Sequence, residues 1–518
     1  MSRWLCFLSI ALISAGLCQA QNTNISKGVV FDGEPFMTVN PENPAHLVLA
    51  WMGYSFGSPL GIKTIVSFNG GRSWSNPVFL PHLAASYHSA DPSLVFDNTG
   101  SLFACYVDYR ETPDSGGICL VKSADGGLTW KYLSKALDMY ADGSKMPVDR
   151  PWLTISPVNN HMYITSKPAP WIAPPNRPYF IRSDDQGATW KPWRYIDGTG
   201  FLVGNVIKAP MAASAVSSDG TFHCIYPSWV AAQNLLPGYL HAKSSDDGNN
   251  FTYNGAGYFS TGIDDTLAKA GGSLAADPAN MHHLAFVFLG SGYGDLDVFF
   301  IESFNDGATW SSPYRVNNDP AANGKMQDMA WSAFNTRGDF VVAWRDRRNS
   351  AGSGYMHASE MWGAMRWKDS TGFSANFRIS DTLSGYQDVL GLNGNDFMTL
   401  SVVKDTLHAA WGDTRNGILN IWYSRINLRT LKPAGIENIV HEKIPEITIF
   451  PNPGNSIFRF TGNRVVEVVV YDLQGKQLFS VESEDSVDHV DLSAMPPGIY
   501  VLSLKTPYGN MVARIVRE

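Results

Sequence analysis

The chain has 518 residues, with 47 Gly, 30 Pro and 16 Trp, a 12% aromatic share and only 17% charged residues. At about 100–200 residues per domain, that length holds several domains, or one large repeat domain with an addition. Low charge with abundant Gly and aromatics excludes a coiled-coil or disordered chain and suits many short strands joined by tight turns, and a net charge of −8 excludes the basic footprint of a nucleic-acid binder.

Residues 1–20 (MSRWLCFLSIALISAGLCQA) read as a secretory signal peptide. Arg3 supplies the positive start, Leu5 to Leu17 the apolar core, and Cys18-Gln19-Ala20 the small-x-small cleavage site. No later run of about 18 apolar residues predicts a membrane span. Cys6 and Cys18 fall in the signal, leaving Cys105, Cys119 and Cys224. Three cysteines make no disulfide framework. Cys105 and Cys119 fall on neighbouring strands of one hairpin, which reads either as a bridge or as two buried small hydrophobes. No P-loop, GxSxG, HExxH, EF-hand or CxxC pattern appears, so no cofactor and no metal site is expected.

Five segments then repeat one pattern: SFNGGRSW, SADGGLTW, SDDQGATW, SSDDGNNF and SFNDGATW, opening at Ser67, Ser123, Ser183, Ser244 and Ser303. Each follows a β-like run. The Asp or Asn side chain can bond backbone amides two residues on, the Gly supplies a positive φ, and the Trp or Phe is expected to pack under the sheet. A corner repeated five times is structural before it is functional. These turns are similar to the Asp boxes of the sialidase-like, or BNR-repeat, β-propellers; the resemblance covers roughly residues 28–428, and the propeller domain is read as 21–430. It implies an all-β, seven-bladed Asp-box β-propeller, with six blades as the alternative. Inner strands are read at 36–39, 91–96, 150–155, 211–216, 271–276, 328–334 and 396–402. The last blade supplies three strands, and GVVFD (28–32) is expected to close it as the fourth, removing exposed edges.

Residues 431–445 read as a linker, and 446–518 as a small C-terminal β-sandwich of short strands with Asn-Pro-Gly, Gln-Gly and Pro-Pro-Gly turns. This segment resembles the C-terminal sorting domain of the type IX secretion system of Bacteroidetes. The resemblance rests on Phe450-Pro451-Asn452-Pro453, Tyr471-Asp472-Leu473-Gln474-Gly475, Leu492-Ser493 with Pro497-Gly498-Ile499-Tyr500, and the basic last strand carrying Arg514 and Arg517. It implies the secretion machinery as a partner and a secreted or cell-surface protein.

In propellers of this resemblance the boxes lie opposite the functional face. That face would carry Glu34, His88, Asp91, Asp149, Arg150, Lys208, Lys269, Gln327, Asp328 and Asp396 at the inner-strand entries. The loops between second and third strands would add Arg110, Arg348 and Arg415, each two residues after an Asp, together with Trp171 and Trp229. Aromatic faces beside polar groups suit sugars, so an extracellular glycan is the expected partner. Candidate catalytic residues are Asp91, Asp149, Tyr386 and His88; candidate substrate-binding residues are Arg110, Arg150, Arg348, Arg415, Trp171 and Trp229. The aromatic-x-Asp-x-Arg pattern recurs in three blades and reads equally as a structural Asp–Arg pair. A sialidase needs three arginines on the substrate carboxylate and a Tyr nucleophile, yet the chain has no Arg-Ile-Pro motif. Three readings stay open: a sialidase-like glycoside hydrolase, a polysaccharide lyase using His88 and Arg150, and a non-catalytic glycan-binding propeller.

Overall fold

The structure is a computed structural model. It describes residues 22–518, apart from residues 56, 111, 113, 208–210, 234–236, 259–271, 387–394, 396, 434–446, 463, 473–475, 484, 507 and 508. The expected signal peptide, most of the expected linker, Lys208, Lys269 and Asp396 therefore lie outside the described residues. The chain divides into two compact units, Met1–Ala434 and Gly435–Glu518.

Seven antiparallel sheets build the first unit. Their inner strands are Asp32–Val39, Tyr87–Phe96, Asp149–Ile155, Ala213–Val216, Gly272–Ala276, Gln327–Phe334 and Thr399–Val403. Each packs against the inner strand of the next blade, and the seventh packs against the first. The ring is thus a closed β-propeller of seven blades. Ser and Thr hydroxyls lace the inner strands together. The amide of Met37 donates to Thr399 Oγ1 at 2.9 Å, that of Leu153 to Ser93 Oγ at 3.0 Å, and that of Ser332 to Ser273 Oγ at 3.1 Å.

The middle strands read as near-continuous apolar runs because both faces are covered. Along Leu102–Arg110, Leu102, Ala104 and Tyr106 face the core shared with blade 1, while Phe103, Cys105 and Val107 face the core shared with blade 3. The register sets Cys105 opposite Leu120 and Tyr106 opposite Cys119. Cys105 and Cys119 therefore belong to cores on opposite faces of one sheet. Both are free thiols, as is Cys224, and burial pushes all three up.

Both ends of the chain complete the seventh blade, with one correction to the expected strand. The closing strand is Thr23–Asn24, which pairs with Tyr423 and Trp422, whereas residues 28–31 run outside any strand and Asp32 opens blade 1. Asn22 anchors this end from a buried site: its amide donates to Asp381 Oδ2 at 3.0 Å and its side chain to the Ile379 carbonyl at 3.1 Å.

The five repeated turns share one geometry. The opening Ser Oγ donates to the Asp or Asn Oδ1 at 2.8–3.0 Å. The Gly amide donates back to that Oγ at 2.7–2.8 Å. The aromatic does not pack beneath its own hairpin as expected; it leans on the preceding blade. Trp74 meets Tyr423, Trp130 Nε1 donates to Thr64, Trp190 Nε1 donates to Ser134, Phe251 meets Phe180 and Trp310 meets His241. The turn glycine is pressed against the same neighbour. A Cβ on Gly187 would stand 2.0 Å from Leu120 Cδ2, and Gly187 has a φ of 81°. Each repeat is a staple between blades.

The second unit is a β-sandwich. Three strands (Thr448–Phe450, Ile457–Thr461, His489–Asp491) face four (Gln477–Glu482, Glu467–Tyr471, Gly498–Thr506, Gly509–Arg517) across Phe458, Val468, Leu502 and Ile515.

The staple geometry separates two glycine substitutions. Gly70 also has a positive φ of 67° but nothing within 4 Å of a Cβ, so Gly70→Ala costs about 1–2 kcal/mol of backbone strain alone. Gly187→Ala adds about 1–3 kcal/mol of overpacking. Thermal unfolding of both variants is expected to show a distinctly lower Tm for Gly187→Ala; equal losses would refute the staple.

Candidate active site

The entries of four inner strands are bulged in the same way. Pairing with the second strand slips between Gly33 and Phe36, Ala90 and Ser93, Asp149 and Trp152, and Asp328 and Trp331. Inside each bulge one non-glycine residue is left-handed: Glu34 (φ 55°), Asp91 (55°), Arg150 (48°) and Met329 (52°). Such backbone costs roughly 1–3 kcal/mol per residue and concentrates at functional sites. The bulge re-aims the side chain that a regular strand would send into the blade. Two residues further on, Phe36, Trp152 and Trp331, joined by Phe397, form an aromatic cluster in the ring. Trp152 stacks on Trp331 at 4.9 Å, with Phe36 edge-on to both.

Blades 1, 2 and 3 bring Glu34, Asp91 and Asp149–Arg150 together. Asp91 is buried and its carboxyl is pushed up to about 6, first by burial and then by the Asp149 charge; a hydrogen bond from Glu34 and the positive Arg150 act in the opposite direction. The Arg150 amide donates to Asp91 Oδ2 at 3.2 Å, and its Nη1 lies 3.2 Å from Met211 Sδ. Asp149 is paired with the buried ammonium of Lys167. Tyr109 completes the group: burial first, then the charges of Asp91, Glu34 and Asp149, push its phenol up to about 12.

A cavity of about 140 Å³ opens between blades 2 and 3 beside these groups. Asp91, Asp149 and Tyr109 supply its polar wall and Val107, Met139 and Val148 its apolar wall. Trp171 stands at the rim, 64% exposed.

The other residues singled out from the sequence sit elsewhere. His88 lies across the strand pair from Tyr109, with ring centres 6.3 Å apart. Its Nδ1 accepts the Leu60 amide at 3.3 Å. Arg348 and Arg415 are each clipped to their own blade. Arg348 pairs with Asp346 and lies 4.0 Å over the Trp362 ring; Arg415 pairs with Asp413 and Asp381 and lies 4.2 Å over Trp422. Trp344 and Trp411 donate to the same two aspartates at 2.7 and 3.1 Å, so the motif is a corner clip in blades 6 and 7. Blade 2 departs from it: Arg110 makes an exposed pair with Asp114 at 3.0 Å, and Asp108 instead receives His82, Ser89 and the Leu83 amide. Asp328 is locked by Arg345 and Arg347, which hold its carboxyl well below the usual range. Gln327 is buried in a polar network with Asn317 and Asp319. Tyr386 is half-buried at the edge of residues outside the description, and Trp229, 41% exposed, belongs to a blade 4 loop and is not among the residues lining the cavity. Among the described residues no group of three or more His, Cys, Asp or Glu could hold a metal ion.

Sequence reasoning set Glu34 in the ring without a role and passed over Tyr109 and Lys167. The available signal was the bulge: Gly-Glu-Pro, Ala-Asp-Pro and Asp-Arg-Pro occupy the same place in blades 1, 2 and 3.

A raised carboxyl pKa is a stability statement. Ionising Asp91 is harder in the fold than in the unfolded chain, so its contribution is fully present below the ordinary value near 3.8 and is lost as pH rises through about 6. Asp91→Asn, which keeps an acceptor for the Arg150 amide, is expected to raise Tm at about pH 8 and to match the parent near pH 4. A variant no more stable than the parent at pH 8 would contradict the buried-charge assignment.

Residues 448–518 match the family of the secretion system C-terminal sorting domain. No curated protein matches the chain. The propeller is similar to several solved structures. A protein of unknown function from Dyadobacter fermentans is 15% identical, covers 66% of this chain and 98% of its own, and has a TM-score of 0.41. The alpha-L-arabinofuranosidase of Fusarium graminearum is 13% identical over 66% of this chain and 94% of its own, with a TM-score of 0.44. The NanB sialidase of Streptococcus pneumoniae is 11% identical over 80% of this chain and 71% of its own, with a TM-score of 0.41. Among the described residues no helix is long and apolar enough to cross a membrane. The chain is a seven-bladed β-propeller joined to a secretion system C-terminal sorting domain, exported to the cell surface or beyond it.

Proposed function

We propose that the propeller is a glycoside hydrolase of extracellular glycans, with Asp91 as the proton donor and Asp149 as the carboxylate facing the reacting sugar. The observation that carries this reading is the Asp91 carboxyl. It lies on the cavity wall and holds its proton to about pH 6 because burial and the neighbouring Asp149 charge resist ionisation. Glycoside hydrolysis needs one protonated and one ionised carboxyl about the scissile bond, and environments that push two acids apart assign those roles. Asp91 gives its proton to the departing oxygen. Asp149 stands opposite the positive charge that develops on the ring, and Lys167 fixes it in place. As the glycosidic bond breaks, water adds to the anomeric carbon and the proton it releases returns to the Asp91 carboxylate.

Several residues read for the two rival chemistries are engaged elsewhere. A sialoside carboxylate calls for converging arginines, but Arg348 and Arg415 are held in their corner clips and Arg110 pairs with Asp114. A lyase calls for a free base, and the Nδ1 of His88 is occupied by a backbone amide.

The purified full chain, incubated with neutral and acidic glycans while reducing ends are followed, is expected to release sugar with an activity that falls as pH rises through about 6. Asp91→Asn should lower kcat by about 10²–10⁴-fold, the usual contribution of a positioned proton donor. Binding without turnover on every glycan would sink the hydrolase and leave a glycan-binding propeller.

A further inference from the structure

We infer that the pocket between blades 2 and 3 admits a single terminal sugar ring, a pentose or a 6-deoxyhexose, and rejects sugars that carry a carboxylate. The inference rests on the glycosidase reading above and goes on to the substrate class and the mode of attack.

Size comes first. The cavity of about 140 Å³ is less than half the roughly 300 Å³ at which pockets for drug-sized ligands begin. It holds one ring, not a run of residues. Beside the bulges Phe36, Trp152, Trp331 and Phe397 from four blades pack ring against ring. A space of that size receives the end of a chain.

Charge comes second. Asp91 and Asp149 are the ionisable groups of the wall beside the Tyr109 phenol. Arg150 gives its backbone amide to Asp91 while its Nη1 lies against Met211 Sδ, Lys167 is paired with Asp149, and neither side chain lines the cavity. A substrate carboxylate, from a uronate or a sialic acid, would lie beside the Asp149 carboxylate, whose one cationic partner, Lys167, is already engaged, and would oppose the ionisation of Asp91 in a poorly solvated space.

The apolar wall decides the ring. Val107, Met139, Val148 and Ala169 offer no hydrogen-bond partner from their side chains. A hexose hydroxymethyl pressed against them loses its water unrepaid, whereas a pentose lacks that group and a 6-deoxyhexose replaces it with a methyl. The exposed Trp171 at the rim supplies a stacking face for the next residue.

The test uses the full chain with aryl glycosides of a pentose, a 6-deoxyhexose, a hexose, a uronate and a sialic acid, and with neutral oligosaccharides for product analysis. Pentosides or 6-deoxyhexosides should be cleaved best, hexosides at least about 10-fold less efficiently, and acidic glycosides not at all, with single sugars as the first products. A preference for hexosides, cleavage of a uronoside or sialoside, or internal cleavage would overturn the inference while leaving the hydrolase standing. If nothing is cleaved, the hydrolase falls and the pocket is judged alone by Trp171 fluorescence. Quenching by free arabinose or fucose but not glucuronate, abolished by Ala169→Leu and kept at unchanged Tm, upholds the pocket. No quenching by either neutral sugar overturns it.

Discussion

The ring depends on each blade lying hard against the one before it. A four-stranded sheet with two apolar faces is insoluble alone, and here each face is covered by a neighbour, so that strands such as Leu47–Gly53 are buried from end to end. The repeated turns set this contact from the outside and the Ser and Thr hydroxyls of the inner strands set it from the inside. Blade spacing in turn decides whether side chains from blades 1, 2 and 3 can meet. Glu34, Asp91 and Asp149 are 57 or 58 residues apart in sequence and touch only because the staples hold three blades in step.

The bulges convert that spacing into chemistry. A regular inner strand would direct alternate side chains into the two neighbouring cores, where a carboxylate is excluded unless paired. The left-handed residue breaks the alternation, and in blade 2 it sets Asp91 on the cavity wall. Its cost is borne where it is useful: Glu, Arg and Met are poor left-handed residues, and they occupy three of the four positions. Blade 6 closes the same device on an ion pair. There Met329 takes the turned position, and the preceding Asp328 is neutralised by Arg345 and Arg347.

Much of the architecture was legible in the sequence because it is written locally. A Ser-x-Asp-x-Gly corner has the same hydrogen bonds wherever it stands, so five copies and seven apolar inner strands identify the ring and its blade number. Closure was misplaced by five residues because Thr23–Asn24 carries no strand signal; its pairing is decided by Asn22 and Asp381, which are 359 residues apart. The site was legible only as a list. Asp91, Asp149 and Arg150 were visible at strand entries, but the Glu34–Asp91 bond and the approach of Tyr109 come from packing between blades. Arg348 and Arg415 looked like ligands for the same reason that they are clips: an arginine near an aspartate reads alike in either role until its aromatic partner, on another strand, is known.

The two-residue strand at the start of the propeller also bears on how the chain acquires its shape. The Ile25 amide donates to the Ile421 carbonyl, a contact across 396 residues that closes the seventh blade. Each doubling of a closed loop adds only about 0.6 kcal/mol, so a loop eight times longer than a 50-residue hairpin loses about 2 kcal/mol more. The burden falls on time. The first blade can pack on its last neighbour only after residues 399–427 exist, and long-range pairing of this kind folds slowly. During synthesis the earliest residues thus wait, with one face of blade 1 uncovered, until almost the whole propeller has emerged.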